Sequence, residues 1–198
     1  METPPKERSS DDAQRERRTK KYEEEAIILD ILLPNSINRH DKYRNKTLAQ
    51  AVGTKWFTLL ELIIKSESTV MLQDRVALNR EERNVVETIV GRITYDKLTP
   101  LAAQQLEIAV DQIVTERESE FVDWVNRATP VSIRLHSLQL IKGIGKKSRE
   151  SILQQRKIKP FESFEDIEQR TEVKDLKSLI VKRIIEEIST PDEKHRLF

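Results

Sequence analysis

The sequence predicts a mixed α+β protein, in which a β-rich N-terminal part precedes a helical C-terminal part. Short β-branched runs separated by turn residues fill residues 23–98, and helical periodicity bounded by Thr-Pro pairs fills residues 99–129. Two of the four glycines, Gly143 and Gly145, lie together in a later segment that also has a helical pattern. We therefore predict a charged tail (1–22), a small β domain (23–98), a helical connector (99–129) and an all-α domain (130–198).

The composition combines a dense ionic surface with enough apolar residues for a core. Of the 198 residues, 37% are hydrophobic and 35% are charged. The chain has no cysteine, which excludes disulfides and every zinc site that uses thiolate ligands. The first residues are too polar for a secretory signal, and no apolar run approaches the roughly 20 residues that span a bilayer. We expect a cytoplasmic protein.

The distribution of charge is more informative than the net charge of +1. Residues 131–160 contain eight basic side chains and one acid, Glu150, whereas residues 99–128 contain six acids and two arginines. The basic segment would attract a polyanion, and the acidic one would repel it and help to orient it. Charge runs are also common on purely solvated faces, so this pattern alone leaves both interpretations open.

The N-terminal half combines a polar tail with several short apolar runs. Residues 1–22 have almost no large apolar side chains, so we expect them to be disordered. Residues 85–93 fit a helix and a strand equally well. Short strands at this spacing suggest a small barrel or curled sheet, of which the OB-fold is one candidate. The predicted strands are 25–33, 48–52, 56–64, 70–72 and 76–78.

A polar loop, residues 39–46, separates the first two predicted strands. It contains four cations and one tyrosine, which is typical of loops that bind single-stranded nucleic acid. A merely solvated loop is an equally good interpretation. The candidate contacts are Lys42, Tyr43, Arg44 and Lys46.

The connector has clear helix boundaries. Thr99 followed by Pro100 predicts a helix start, since a hydroxyl can cap the free amides and proline fits the first helical position. Apolar residues at helical spacing continue to Val125, and Thr129 with Pro130 marks the end. We expect this apolar stripe to be core.

The Gly143-Ile144-Gly145 segment carries the main functional prediction. Leu135, Leu138 and Ile141 share a helical face before it, and another helix is expected after it. Glycine allows left-handed backbone and close approach, and a helix N-terminus presents free N–H groups to an anion. A dinucleotide fingerprint and a P-loop both fail on residue type. The candidate phosphate-binding residues are Lys142, Gly143, Ile144, Gly145, Lys146, Lys147 and Arg149.

This segment resembles the helix-hairpin-helix motif of DNA repair enzymes, polymerases and ligases. The resemblance implies that hairpin amides contact backbone phosphates and that Ile144 packs inside. Some members also hold a monovalent cation, K⁺ or Na⁺, through main-chain carbonyls. By position these carbonyls would belong to Gln139, Ile141 and Ile144. Residues 159–167 look like the link to a second hairpin near Val173, which lacks glycine and would be degenerate and structural.

Three other segments, residues 92–99, 121–128 and 134–136, look like the archaeal family designated as a domain of unknown function, DUF655. The resemblance implies an archaeal source. It also implies an OB-like N-terminal part with the hairpin behind it, and a nucleic-acid-binding role that is itself a prediction.

We expect non-catalytic, largely sequence-independent nucleic-acid binding, with RNA slightly favoured over DNA and no resident cofactor apart from the cation. A protein adaptor using the helical C-terminal half is the alternative. A nuclease is a weaker one, because the acids of residues 191–194 are adjacent rather than converging on a metal, near an end expected to fray. The histidines His40, His136 and His195 lack ligand spacing, and we expect His136 to be a packing or capping residue.

Overall fold

A computed structural model describes residues 22–34, 43–190 and 192–198. Its five described strands form one curled antiparallel sheet in the order β4-β1-β2-β3-β5. The strands are β1 (Glu25–Leu32), β2 (Thr47–Gly53), β3 (Leu59–Ile64), β4 (Arg75–Ala77) and β5 (Val86–Arg92). Register shifts in the β1–β2 and β3–β5 pairings add local bends to the sheet.

Both faces of the central strands β1, β2 and β3 are largely buried. Ile27 and Leu29 of β1 belong to the core shared with the helices, whereas Ile28 packs with Val76 and Val86 in the inner face of the curl. A strand buried on both faces reads as a continuous apolar run rather than an alternating one. This double burial explains the uninterrupted apolar sequence at the start of β1.

Five described helices follow the sheet. They are α1 (Pro100–Glu116), α2 (Glu118–Arg127), α3 (Lys146–Ile158), α4 (Phe164–Arg170) and α5 (Leu176–Ser189). The mixed α+β class is therefore confirmed. None of the helices in the described part of the chain is long and apolar enough to cross a membrane.

The start of α1 is fixed by side chains that also reach the sheet. Thr99 Oγ1 accepts the N–H of Ala102 at 3.0 Å, as expected for an N-cap, and donates to Asp30 Oδ2 at 2.5 Å. Buried Gln50 donates through Nε2 to the carbonyl of Lys97 and accepts the N–H of Thr99, both at 2.8 Å. These bonds hold α1 against β1 and β2.

One apolar core runs from the sheet through α1 to the C-terminal helices. Leu106 and Ile113 of α1 share it with Ile27 of β1 and with Ile180 and Ile184 of α5. The connector therefore packs between the sheet and α5. The domain boundaries at residues 22, 98 and 129 stay predictions.

Two predicted elements are wrong and an ambiguous one is settled. Residues 70–72 form no strand, because Asp74 Oδ2 accepts the N–H of Met71 at 2.7 Å and Gln73 adopts a φ of 69°, which together make a turn. The predicted helix through Leu135 is reduced to a single 3-10 turn, Ser137–Leu140, since the bridge between Pro130 and His136 closes the preceding residues into a loop. Residues 85–93, which fitted either type, contain β5.

Candidate nucleic-acid interface

The predicted phosphate-binding segment is a tight turn that leads into α3. The 3-10 turn ends at Ile141, whose N–H donates to the carbonyl of Leu138 at 3.3 Å. The N–H of Ile144 then donates to the carbonyl of Ile141 at 3.0 Å. Ile144 is buried in the main core, as the hairpin prediction required. Its burial anchors the turn and leaves the residues on either side exposed.

Gly143 is required by the fold itself. Its φ of 103° lies in the left-handed region, which other residues rarely adopt. A Cβ at this position would lie 3.0 Å from Leu179 Cδ2 on α5. Backbone conformation and packing therefore both account for this glycine.

Neither the backbone conformation nor the packing of the chain requires a glycine at Gly145. It caps α3 with an extended backbone, φ −83° and ψ −172°, which any residue can adopt. A Cβ at Gly145 would meet nothing within 4 Å. No side chain caps α3 at this position, so the space in front of its N-terminus is open.

Lys146 and Lys147 occupy the first turn of α3 and are exposed. Neither forms an ion pair with another described residue. The N-terminus of a helix carries a partial positive charge, which repels cations near it. Two lysines at this end therefore add to the positive potential around the free amides. Lys142 is also exposed and pairs with Glu186 at 2.6 Å. Such a surface pair contributes about 0–1 kcal/mol, so the Lys142 ammonium can exchange Glu186 for another anion.

Arg149 serves the turn rather than the surface. Its Nη1 donates to Gln139 Oε1 at 2.9 Å and its Nη2 donates to Glu150 at 3.2 Å. Gln139 Oε1 also accepts the N–H of His136, at 3.3 Å. The side chains of Arg149 and Gln139, together with the main chain of His136, therefore link the loop, the 3-10 turn and α3. Because its guanidinium is engaged in these bonds, Arg149 is less available to a ligand than the sequence suggested.

His136 is confirmed as a capping residue. Its Nδ1 accepts the N–H of Leu138 at 3.2 Å, and with Gln139 it forms a capping box around the 3-10 turn. Burial lowers the pKa of His136, and the positive charges of Arg156 and Arg149 lower it further. The neutral imidazole is the form that can accept this hydrogen bond.

The predicted monovalent cation site stays a prediction. The carbonyl of Ile141 already accepts an N–H, so a K⁺ or Na⁺ ion would use its second lone pair together with the carbonyls of Gln139 and Ile144. Across residues 22–34, 43–190 and 192–198, no group of three or more His, Asp and Glu side chains is placed to hold a metal ion.

The described candidate residues of the β1–β2 connection, Tyr43, Arg44 and Lys46, lie in the turn just before β2. Lys42 is outside the described residues. Tyr43 is half-buried and Arg44 is exposed. Lys46 pairs with Glu87 of β5 at 3.0 Å, so its ammonium is held along the sheet edge. Nothing places these residues next to the Gly143–Gly145 turn.

The region near Val173 has the same arrangement of a turn followed by a helix, but the N-terminus of that helix is capped. Val173 is buried between α4 and α5, in the way that Ile144 is buried before α3. The N–H of Leu176, at the start of α5, donates to Glu168 Oε1 at 3.0 Å. A carboxylate of the chain itself therefore occupies this helix N-terminus.

Comparison with known proteins assigns the chain to a family. The family model described as "Protein of unknown function (DUF655)" matches residues 22–198. The chain belongs to the DUF655 family. A similar protein, the uncharacterized protein MJ0038 of Methanocaldococcus jannaschii, is 33% identical over 178 residues, or 90% of this chain and 79% of that protein.

A solved DUF655 structure supports the fold. The crystal structure of Af1531 from Archaeoglobus fulgidus matches with a TM-score of 0.81 and 39% identity, and the match covers 89% of this chain and 99% of that chain. Both similar proteins come from archaea, in agreement with the expected archaeal source.

A cleft of about 580 Å³, which no sequence prediction included, lies beside the sheet. We call it the aromatic cleft. Its walls are the β2–β3 turn, the end of β5, α2, the end of α5 and residues 196–198. Both tryptophans of the chain, Trp56 and Trp124, line it. The sequence placed one in a strand and the other in the core, and only the rarity of tryptophan in this chain could have drawn attention to the pair.

Proposed function

We propose that this DUF655 protein binds nucleic acid without catalysing a reaction, through a helix-hairpin-helix that grips the sugar–phosphate backbone. The observation that carries the proposal is the open N-terminus of α3, where Gly145 leaves unfilled space beside free amides. A phosphate oxygen fits such a position because main-chain donors and the helix dipole both favour negative charge.

The surrounding charges support the same ligand. Lys146 and Lys147 are exposed beside the amides, and Lys142 has only a surface partner. The contrast with α5 is also informative, because Glu168 caps that helix from within the chain. We therefore assign phosphate binding to the first hairpin and a structural role to the second.

Contacts to phosphates carry no sequence information, so binding is expected to be largely independent of sequence. The curled sheet serves in this proposal as an OB-like element, with Tyr43 stacking a base and Lys42, Arg44 and Lys46 near the backbone. RNA is slightly favoured over DNA. The carbonyls of Gln139, Ile141 and Ile144 would position a K⁺ or Na⁺ ion beside the same phosphate.

Fluorescence-anisotropy titrations across a salt series test the proposal with duplex DNA, single-stranded DNA and structured RNA. Lys146→Glu/Lys147→Glu is expected to weaken binding and to lower the slope of log K against log salt by roughly 0.7–0.9 per lost contact. The matched control is Lys157→Glu/Lys182→Glu, which makes the same charge change at exposed lysines outside residues 142–149. Lys157 is near the far end of α3, a helix about 20 Å long.

A second variant separates the amides from the lysines. Gly145→Ser introduces a favoured N-cap residue whose hydroxyl competes for the amides of α3. We expect a folded protein with weaker binding and an unchanged lysine contribution. If the turn and control lysine variants weaken binding equally, the overall charge of the protein explains the binding. The proposal that the hairpin binds phosphate would then be wrong.

An adaptor function is the alternative, and one observation favours it. Leu101 and Ile108 on α1 are exposed, Ile108 with 55% of its surface accessible. Exposed apolar side chains on a helix are typical of protein-binding surfaces when they form a continuous patch. If the wild-type protein binds none of the three nucleic acids at low salt, we would replace the nucleic-acid proposal by this one.

A further inference from the structure

The aromatic cleft combines stacking surfaces with positive charge. Trp56 has 38% of its surface exposed, and Trp124 and Phe198 are half-buried. The rings of Trp124 and Phe121 both contact Phe198, with centroid distances of 5.2 Å and 5.3 Å. Accessible rings in a concave site provide flat surfaces that match a nucleobase.

The charged side chains of the cleft have a positive excess. Four cations and two carboxylates line it. One carboxylate, Glu187, accepts hydrogen bonds from Arg183 Nε at 2.8 Å and from the N–H of Leu197, also at 2.8 Å. The other, Glu120, is bound by Arg117, which lowers the pKa of the carboxyl group. Both carboxylates are therefore bound by arginines, and Lys55, Arg92 and Arg196 also line the cleft.

The turn that presents Trp56 is built by specific contacts. The carboxylate of Glu23 accepts the N–H groups of Lys55, Trp56 and Thr58 at 3.0–3.1 Å. Phe57 adopts a φ of 54°, which is rare and costly for an aromatic residue. Strained backbone that the surroundings hold in place is concentrated at ligand sites. The backbone that carries Trp56 is thus held by contacts within the chain.

A smaller groove of about 340 Å³ extends the cleft toward the hairpin. The two concavities share Glu120 and Trp124, and the smaller one is also lined by Arg127 and Ser137. Ser137 begins the 3-10 turn that precedes Gly143. Glu120 and Trp124 therefore lie between the aromatic cleft and a groove that borders the start of the 3-10 turn.

We propose that the aromatic cleft binds an unpaired nucleobase of a single-stranded nucleic acid, stacked against Trp56 and Trp124, with the adjoining phosphate near Lys55, Arg92 and Arg196. The inference rests on the proposed nucleic-acid function and names its substrate class, since a base that stacks on the rings of the protein must first leave the stack of a duplex. Aromatic rings next to cations fit a nucleotide better than an apolar peptide, because a nucleotide supplies both a flat ring and a negative charge.

Intrinsic tryptophan fluorescence tests this inference directly, because the two tryptophans of the chain both line the cleft. Single-stranded RNA and DNA oligonucleotides are expected to quench the emission, and a duplex of the same length with blunt ends is expected to leave it nearly unchanged. Trp56→Ala should weaken single-strand binding roughly 5- to 150-fold, the range for loss of one stacked base. Trp56→Phe should restore most of the affinity.

Met71→Ala is the matched control, because Met71 is an exposed large side chain that does not line the cleft. Its affinity should equal that of the wild-type protein. If single strands bind by anisotropy without quenching, and Trp56→Ala binds as tightly as wild type, the cleft inference fails while the hairpin proposal stands. If quenching persists in Lys146→Glu/Lys147→Glu with unchanged affinity, the cleft inference stands and the hairpin proposal fails. Absence of any binding overturns both.

Discussion

The α-carbon of Gly143 lies against the side chain of Leu179, so that an added Cβ would come within 3.0 Å of Leu179 Cδ2. This contact joins the turn before α3 to α5, the helix that also packs on α1. The exposed end of α3 is therefore held by the main core and not by the loop alone.

Gly143→Ala is expected to lower the free energy of unfolding by about 1–3 kcal/mol, because alanine would have to adopt the left-handed backbone of this position. The collision with Leu179 adds to this cost. Urea denaturation followed by circular dichroism measures it.

Gly145→Ser provides the comparison at the other glycine of the turn. Its backbone is accessible to every residue and serine is a good N-cap, so stability should stay within about 0.5 kcal/mol of wild type. Equal destabilisation by both substitutions would contradict the separate roles given to the two glycines.

Stability should fall as the pH drops below about 6.5, the ordinary pKa of histidine, because burial holds the pKa of His136 lower in the folded protein. The unfolded chain then binds the proton more readily than the folded one. Above that pH the contribution of His136 is fully present and constant. Urea midpoints at about pH 7.5 and about pH 5.5 measure the difference.

His136→Asn is the control for this pH dependence. Asparagine keeps an acceptor for the N–H of Leu138 and does not titrate, so the difference between the two pH values should shrink. The other histidines contribute equally to both proteins and cancel in the comparison. An unchanged difference would assign the effect to other groups.

Removing one member of the buried pair Arg183–Glu187 should be far more damaging than removing both. The Nε of Arg183 donates to Glu187 at 2.8 Å, and both side chains are buried. Glu187→Leu removes the carboxylate that accepts from Arg183 Nε and leaves the buried guanidinium with Glu186 and Glu193, at 3.6 Å and 3.5 Å. We expect this loss to cost about 1–3 kcal/mol of unfolding free energy.

The double variant Arg183→Met/Glu187→Leu leaves no unpaired charge. It should therefore lose clearly less stability than Glu187→Leu, in a urea titration of both proteins. A double variant as unstable as the single one would show that the hydrogen bonds to Leu197 and Phe198 matter more than the charge.

Glu23→Gln should loosen the turn that carries Trp56. Glutamine has a single acceptor oxygen and no charge, whereas the carboxylate accepts three main-chain N–H groups. We expect a loss of about 1.5–3 kcal/mol in unfolding free energy and a shifted tryptophan emission maximum. Glu24→Gln, at the exposed neighbouring residue, should change neither.

Local chemistry explains what could be predicted from the sequence. Thr99 and Pro100 define a helix start through bonds within four residues, and Gly143 marks a left-handed turn by its residue type. The fold class followed from the separation of several short apolar runs from the helical part.

Non-local contacts explain what was missed. The expected helix through Leu135 is absent, because His136 pairs with Pro130 and the hydroxyl of Ser137 donates to the carbonyl of Thr129. The contact of Arg149 with Gln139 Oε1 could not be read from the sequence, because it depends on the folded turn, and the role of Arg149 as a phosphate ligand stays a prediction. The end expected to fray is instead held to α5, where Glu187 accepts the N–H of Leu197.

The aromatic cleft could not be anticipated for the same reason. Trp56 and Phe198 come from opposite ends of the described chain, and only the packing of α2 and α5 on the sheet brings their surroundings together. No spacing rule connects residues at such separation.

Under the proposed function, the single core shared by the sheet, α1 and the C-terminal helices would also set the length of strand that the protein covers. Because no flexible linker separates the cleft from the Gly145 end of α3, an oligonucleotide that reaches both would gain avidity from a fixed effective concentration. Affinity should then rise in one step at a threshold length, and isothermal titration with a ladder of oligonucleotides would reveal it. A gradual rise of affinity with length would mean that the aromatic cleft and the Gly145 end of α3 bind independently. The distance between them would then have no effect on which oligonucleotide length binds best.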